Sequence, residues 1–372
     1  MIKVLQVVPN LSRKSGVSSF LMNLYRNIDR DEIQFDFLVT RRTEFSYQDE
    51  IESLGGSVFY SPNPLSPSLF RAVRYFRKFF LNNSDNYSVV HIHSPNLIAF
   101  VAPLARQAKV KTIIAHSHSS KFSENKIKHL INKLLAILGR QYVTDKWSCS
   151  PEAGKFLFGE NSSYVLVNNA IDPSPFRFNV EIRDSVRKEL QIENKKVICH
   201  VSNFNRLKNT LFLIDVIKQI NQSSEDYIFL FVGDGEDKAK LIKKLSTQNL
   251  LNKCVFVGFQ KNIARYLNAS DALLLPSKHE GAPVILIEAQ SNGLNCIVSD
   301  SVTRNIDVGL CCFLPLIAST WAKKILSLDA ESQIRRSNFF WKISDSSYNI
   351  KNQIAYVSNL YKQKSDLSKN EC

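Results

Sequence analysis

No apolar run in this 372-residue sequence approaches the roughly 18 residues of a membrane-spanning helix, so no span is expected. The first residues, Met1-Ile2-Lys3-Val4-Leu5-Gln6-Val7-Val8, pass straight into a short apolar strand. They lack the longer apolar core and small-residue cleavage site of a secretory signal. The seven cysteines are scattered, with no C-x-x-C anywhere and Cys311-Cys312 as the one close pair. That usage argues against a disulfide framework or a structural zinc site, and a reducing, cytoplasmic location is expected. No G-x-G-x-x-G follows the first strand, which disfavours a Rossmann dehydrogenase. Repeats and low-complexity tracts are absent too.

What is present is the composition of a globular protein, 44% hydrophobic and 22% charged, in a chain long enough for two cores. Short apolar runs alternate with helical patterns, the α/β signature of parallel sheets. The expected strands of the first half include Val4–Val8, Phe35–Val39, Val89–Ile92, Thr112–Ala115 and Lys146–Cys149. After a proline-bearing break near 170–182 the rhythm resumes with Val197–Ser202, Ile228–Val232, Cys254–Val257, Ala272–Leu275 and Cys296–Ser299. Two Rossmann-like domains are expected, at 1–170 and 183–347, with a helix near 348–362 returning to pack on the first. The last ten residues look polar and frayed.

The net charge of +14 is concentrated: residues 66–146 carry 13 Lys/Arg against 3 Asp/Glu. Leu69 to Phe80 mixes bases and aromatics at helical spacing, and Lys126 to Arg140 is a second basic helical stretch. A solvated helix face and docking on an anionic membrane surface are the competing readings. No nucleic-acid motif is present, so no nucleic-acid partner is expected.

Chemistry concentrates in Pro276-Ser277-Lys278-His279-Glu280-Gly281-Ala282-Pro283-Val284-Ile285-Leu286-Ile287-Glu288-Ala289. It follows an expected strand, and its prolines and glycine force a loop before a helix over Val284–Ser291. Glu280 then lies at the carboxyl end of a strand and Glu288 about one turn into the helix, where ligands bind in open α/β sheets. Two surface carboxylates are the plain alternative. The apolar residues around Glu288 weigh against it, because a charge on a mostly buried helix needs a partner. In the loop after Val197–Ser202, Arg206 and Lys208 precede a helix, where a phosphate would meet both cations and the helix start. Gly233-Asp234-Gly235 reads as a tight strand-to-helix turn. His91/His93 and His116/His118 each end a strand and alternate onto one face. Four histidines suggest a metal site, but no acidic residue accompanies them. A hydrogen-bonding role at an inter-domain cleft is the more natural reading for at least one, with His91 structural.

Together these features resemble glycosyltransferase family 4, a retaining group with the GT-B fold, two Rossmann-like domains whose parallel sheets face a central cleft. Its E-x7-E hallmark, in a setting close to PS-x-x-EG-x-P-x-x-x-x-EA, is matched by Pro276, Ser277, Glu280, Gly281, Pro283, Glu288 and Ala289. Further matches are Gly16, His118, Asn169-Ala170-Ile171-Asp172, Lys208-Asn209, Gly233-Asp234-Gly235 and Asp271. Glu288-Ala289-Gln290 with Gly293-Leu294, and Ser299-Asp300 with Val302-Thr303, resemble enzymes that assemble bacterial capsule, exopolysaccharide or O-antigen units.

The resemblance implies that Glu280 meets the donor hexose and Glu288 the ribose of the nucleotide. Lys208 would hold the diphosphate, assisted by the amides of Gly281, Ala282, Pro283 and Val284. Gly16 would let its loop approach the diphosphate, and His118 would lie near the transferred sugar. Many members have Gly-Arg where Ser202-Asn203 stand here, and Arg206 is expected to replace that arginine. The implied reaction moves a hexose or N-acetylhexosamine from a nucleotide sugar, UDP-linked by default, to a lipid-linked glycan at the inner membrane face. No cofactor and no essential metal is expected, since the only D-x-D, Asp29-Arg30-Asp31, reads as surface. Domain closure would exclude water, and front-face attack and double displacement both remain open. The rivals are a GT-B nucleotide-sugar epimerase and a nucleotide-sugar-binding protein that has lost turnover.

Overall fold

The computed structural model describes residues 1–13, 15–65, 67–119, 126–328 and 333–367. Ser66 and residues 120–125 of the basic segment, and the terminal residues 368–372, lie outside the described residues. The chain divides into two compact units: Met1–Ala170 together with the segment from Ile350, and Ile171–Asn349. The second unit therefore takes in residues whose prolines read as a linker. Ile171 is buried in its core and pairs with Asn349 in an isolated bridge.

The first unit contains strands β1 (Ile2–Val8), β2 (Ile33–Val39), β3 (Val58–Tyr60), β4 (Val89–Ile92), β5 (Thr112–Ser117), β6 (Asp145–Ser148) and β7 (Val165–Leu166). They form one sheet in the order β3-β2-β1-β4-β5-β6-β7, parallel at every pairing. Strands covered on both faces read as unbroken apolar runs, and β2 is buried along its whole length. The helix Ile350–Leu367 adds Val357 and Tyr361 to the core beside Val4, Phe35 and Trp147.

The second unit contains β8 (Lys196–Val201), β9 (Tyr227–Val232), β10 (Cys254–Gly258), β11 (Ala272–Leu275), β12 (Asn295–Ser299) and β13 (Cys311–Leu314), in the order β10-β9-β8-β11-β12-β13. All its pairings are parallel. The edge strand β13 was not among the expected strands. It is four partly buried residues long, half of them the Cys311-Cys312 pair, which is free of any disulfide. At the amino ends of β8 and β11, Asp271 accepts from Arg183 at 2.6 Å, Arg187 at 2.8 Å and the Val197 N–H at 2.7 Å. Burial raises the Asp271 carboxyl, but the two guanidinium groups outweigh it and hold it below its ordinary range.

At the opposite, carboxyl edge, the turn after β9 packs backbone against backbone on the loop after β8. Phe204 N–H donates to the Asp234 carbonyl at 3.0 Å, and Asp237 N–H to the Phe204 carbonyl at 3.0 Å. Gly233 has φ +132°, and a Cβ there would stand 1.9 Å from the Ser202 carbonyl oxygen. The glycine is thus required by close approach as well as by conformation. Gly233→Ala is expected to destabilise the protein by about 3 kcal/mol or more. Denaturant titration checks this, and an unchanged midpoint would refute the packing argument.

Candidate active site

In the second unit β8 and β11 are neighbours although far apart in sequence, with Ile198 opposite Ala272 and Cys199 opposite Leu273. Their crossovers leave in opposite directions, which opens a crevice at their carboxyl ends. Two backbone contacts knit the loops there. Lys278 N–H donates to the Leu207 carbonyl at 2.9 Å, and Glu280 pairs with Val302 in a parallel bridge. These contacts bring Lys208 Nζ onto Glu280 Oε1 in a part-buried ion pair. Asn205 shapes the loop by accepting from the Lys208 N–H through Oδ1 at 3.0 Å.

The helix Val284–Ser291 starts at Pro283 without a side-chain cap. Its first-turn N–H groups have no partner within the helix and form an anion-seeking surface. Glu288, one turn in, is partly buried, and its carboxylate has no hydrogen-bond or ion-pair partner among the described residues. Burial among apolar neighbours pushes its pKa up to about 8. Near neutral pH it therefore holds a proton and can both donate to and accept from hydroxyl groups. Glu280 and Glu288 thus differ through their surroundings, one paired with a lysine and the other unpaired.

The structure brings Lys208, Glu280 and the start of the Glu288 helix together. Arg206 does not join them: it is exposed and makes no ion pair among the described residues. His200, at the end of β8, was given no role from sequence and sits beneath the loop. It is buried, with Nδ1 at 2.9 Å from the Leu274 carbonyl and Nε2 within reach of Ser202 Oγ at 2.8 Å and Thr210 Oγ1 at 3.1 Å. A carbonyl only accepts, so Nδ1 carries the proton and the single Nε2 lone pair accepts from the nearer hydroxyl, that of Ser202. Burial lowers its pKa to about 4, keeping it neutral.

In the first unit the corresponding crevice lies between β1 and β4. Gly16 opens the helix Gly16–Asn27 and is exposed, and a Cβ there would meet nothing within 4 Å. Protein packing therefore does not account for this glycine. Beside β4 and β5, His91, His93 and His116 are buried while His118 is partly exposed, and Phe20 lies against the rings of His93, His116 and His118. Burial lowers all four pKa values, that of His118 to about 3 despite its exposed edge. Ligand nitrogens of His91, His93 and His116 lie within 4.8 Å of one another. Both nitrogens of His91 and of His93 are already hydrogen-bonded, so a cation would have to displace those bonds. Asp29 and Asp31 are exposed in the turn before β2, at the amino end of that strand and so away from the carboxyl-edge crevice of the first unit.

Known proteins place this geometry. Residues 182–308 match the family described as glycosyl transferases group 1, and residues 15–145 match a glycosyl transferase 4-like domain. A Bacillus subtilis protein named as a glycosyltransferase, EpsF, is 30% identical over 96% of this chain and 96% of its own. The chain belongs to glycosyltransferase family 4. This family 4 chain is also 28% identical to the Staphylococcus aureus capsular polysaccharide biosynthesis glycosyltransferase CapH, over 91% of this chain and 95% of that one. It is 31% identical to the Escherichia coli UDP-Gal:alpha-D-GlcNAc-diphosphoundecaprenol alpha-1,3-galactosyltransferase, over 59% of each. Among solved structures, Anabaena HepE in complex with UDP-glucose superposes with a TM-score of 0.79 at 15% identity, covering 98% of this chain and 100% of that one. At that identity the likeness is one of fold, and the fold is GT-B.

The unpaired Glu288 yields a signed prediction. Its folded-state pKa lies above its unfolded value, so its stability contribution is intact below about pH 4.5 and is lost as pH rises through about 8. Glu288→Gln should therefore stabilise the ligand-free protein, by nothing at pH 4 and by about 1–2 kcal/mol at pH 8. Thermal melts across that range check it, and a benefit that shrinks with rising pH would contradict it.

Proposed function

We propose that this family 4 glycosyltransferase is a retaining enzyme that moves a hexose or N-acetylhexosamine from a nucleotide sugar to a lipid-linked glycan during bacterial surface polysaccharide synthesis. The carrying observation is the Lys208–Glu280 pair beside the uncapped helix start and the protonated Glu288. Breaking a glycosidic bond to a diphosphate builds negative charge on the leaving group. A lysine and fixed amides meet that charge without reorganising, usually the largest catalytic contribution. In this reading the arriving diphosphate competes with Glu280 for Lys208, freeing Glu280 for sugar hydroxyls. Glu288 takes the ribose hydroxyls, and Gly281 to Val284 line the phosphates. Gly16 and His118 serve the diphosphate and transferred sugar from the first unit. UDP is the assigned nucleotide, in keeping with the UDP and UDP-glucose complexes of HepE. The leaving phosphate needs no divalent ion when Lys208 and the amides neutralise it.

Surface chemistry and the relatives' names support a lipid-linked acceptor. The helix Lys126–Arg140 turns Ile127, Leu130, Leu134 and Leu138 to solvent on one stripe, and Ile127 is 71% exposed. The helix Leu69–Asn83 exposes Phe70 to 89% among Arg71, Arg74 and Arg77. Basic amphipathic helices of this kind dock on anionic lipid, which puts the enzyme at the inner membrane face beside a lipid-linked acceptor. No described helix is long and apolar enough to cross a membrane. The Escherichia coli relative is named for a diphosphoundecaprenol acceptor, and CapH for capsule synthesis.

A screen of nucleotide sugars for hydrolysis by the purified protein should select a UDP-sugar, with activity unchanged in EDTA. Lys208→Ala should lower kcat/KM by roughly a hundredfold or more. Arg206→Ala reports whether that exposed cation swings onto the diphosphate: a loss of roughly tenfold supports that role, and unchanged donor affinity and turnover refute it. Activity lost in EDTA and restored by manganese or magnesium would refute the metal-free reading. The protein should also bind vesicles containing anionic lipid more tightly than neutral ones and be released by salt. Equal partitioning would refute the docking reading.

A further inference from the structure

The histidine cluster of the first unit is one continuous hydrogen-bonded chain, and its direction can be read. His93 Nε2 lies 2.7 Å from Gln6 Oε1, and His93 Nδ1 lies 2.9 Å from His118 Nε2. On the other side, Gln6 Nε2 donates to the Tyr361 hydroxyl at 3.3 Å. That hydroxyl lies 2.7 Å from His91 Nδ1, and His91 Nε2 lies 3.2 Å from His116 Nδ1. An amide oxygen only accepts, so His93 carries its proton on Nε2. Its Nδ1 is then a lone pair and takes the Nε2 proton of His118. Tyr361 is fully buried and already accepts from Gln6, so its own proton goes to His91. His91 in turn donates from Nε2 to His116. Every donor points the same way, and all four imidazoles carry their proton on Nε2. His118, the one member with an exposed edge, is left with a bare Nδ1.

The two ends of the Gln6 amide decide this arrangement: its nitrogen faces the Tyr361 hydroxyl and its oxygen faces His93. If the amide turned over, the oxygen would accept from Tyr361 and the nitrogen would donate to His93. Each donor down to His118 would then reverse, and its Nδ1 would become a donor. Tyr361 comes from the C-terminal helix, more than two hundred residues from any histidine it controls.

We propose that Gln6, its amide held by Tyr361, is a positioning residue which, through His93, fixes His118 with Nδ1 as a hydrogen-bond acceptor for a substrate hydroxyl. This rests on the reading above that His118 faces the transferred sugar. The consequence for specificity is that a hydroxyl is received at this point, while a group that can only accept, such as fluorine, is refused.

The test is histidine-selective 15N labelling of the full chain, with long-range proton–nitrogen correlation reading each tautomer and histidine-to-glutamine variants supplying assignments. His91, His93, His116 and His118 should all be protonated on Nε2, with His200 as the internal control protonated on Nδ1. Tyr361→Phe keeps the ring and should scramble the His118 tautomer. It should also lower kcat by about tenfold, with little change in KM for the nucleotide sugar selected by the hydrolysis screen. A His118 proton on Nδ1 in the unmodified protein overturns the proposal even if Tyr361→Phe does not fold. An unchanged tautomer and kcat in a folded Tyr361→Phe also overturns it. His118→Gln separates the two levels: unchanged turnover defeats the sugar-facing reading itself, whereas lost turnover with a reversed tautomer defeats only the proposed role of Gln6 and Tyr361.

Discussion

A parallel sheet sends every crossover away from the same edge, so the carboxyl ends of its strands carry the loops that can hold polar side chains. Where neighbouring strands send their crossovers in opposite directions, those loops part and leave a gap. Both units obey this constraint, at β1 and β4 in one and at β8 and β11 in the other. The chemistry-bearing residues fall into these gaps. Lys208 and Glu280 follow β8 and β11, while Gln6 and His91 lie on β1 and β4 with His93 just beyond. Core packing of Val, Ile, Leu and Phe on both faces holds the strands in place, and the loops inherit that rigidity.

Electrostatic environment then divides labour between identical side chains. Glu280 keeps a lysine partner, whereas Glu288 stands unpaired on an apolar helix with its pKa raised. An unpaired carboxyl in such a place lowers the stability of the empty protein, which is expected of a group kept for a ligand rather than for the fold. The four histidines of the first unit follow the same rule in reverse. Burial keeps them neutral, and neutral imidazoles can be ordered into a directed chain in a way that four cations cannot.

Legibility from sequence followed how local each signal was. The helix at Val284–Ser291, the basic helix at Lys126–Arg140 and the strand at Ala272–Leu275 have the bounds that local pattern and turn residues indicate. β13 was missed because its apolar run, Leu310 to Leu314, is too short for period alone to separate a strand from a buried helical segment. Arg206 looked like a natural companion of Lys208 at two residues' separation. The loop geometry, set by Asn205 and the Leu207–Lys278 contact, turns only the lysine toward Glu280.

Local sequence alone determined the alternation of strands and helices, the loop carrying Glu280 and the apolar helix carrying Glu288, because turn chemistry and hydrophobic period act between near neighbours. The compound motif around the two glutamates, with the further matches along the chain, likewise pointed to the family. Tertiary structure alone decided which charges pair and which way protons point. Lys208 meets Glu280 across 72 residues, and His91 meets Tyr361 across 270. Such contacts depend on strand order and on the return of the C-terminal helix, and no local pattern encodes the direction of a hydrogen bond.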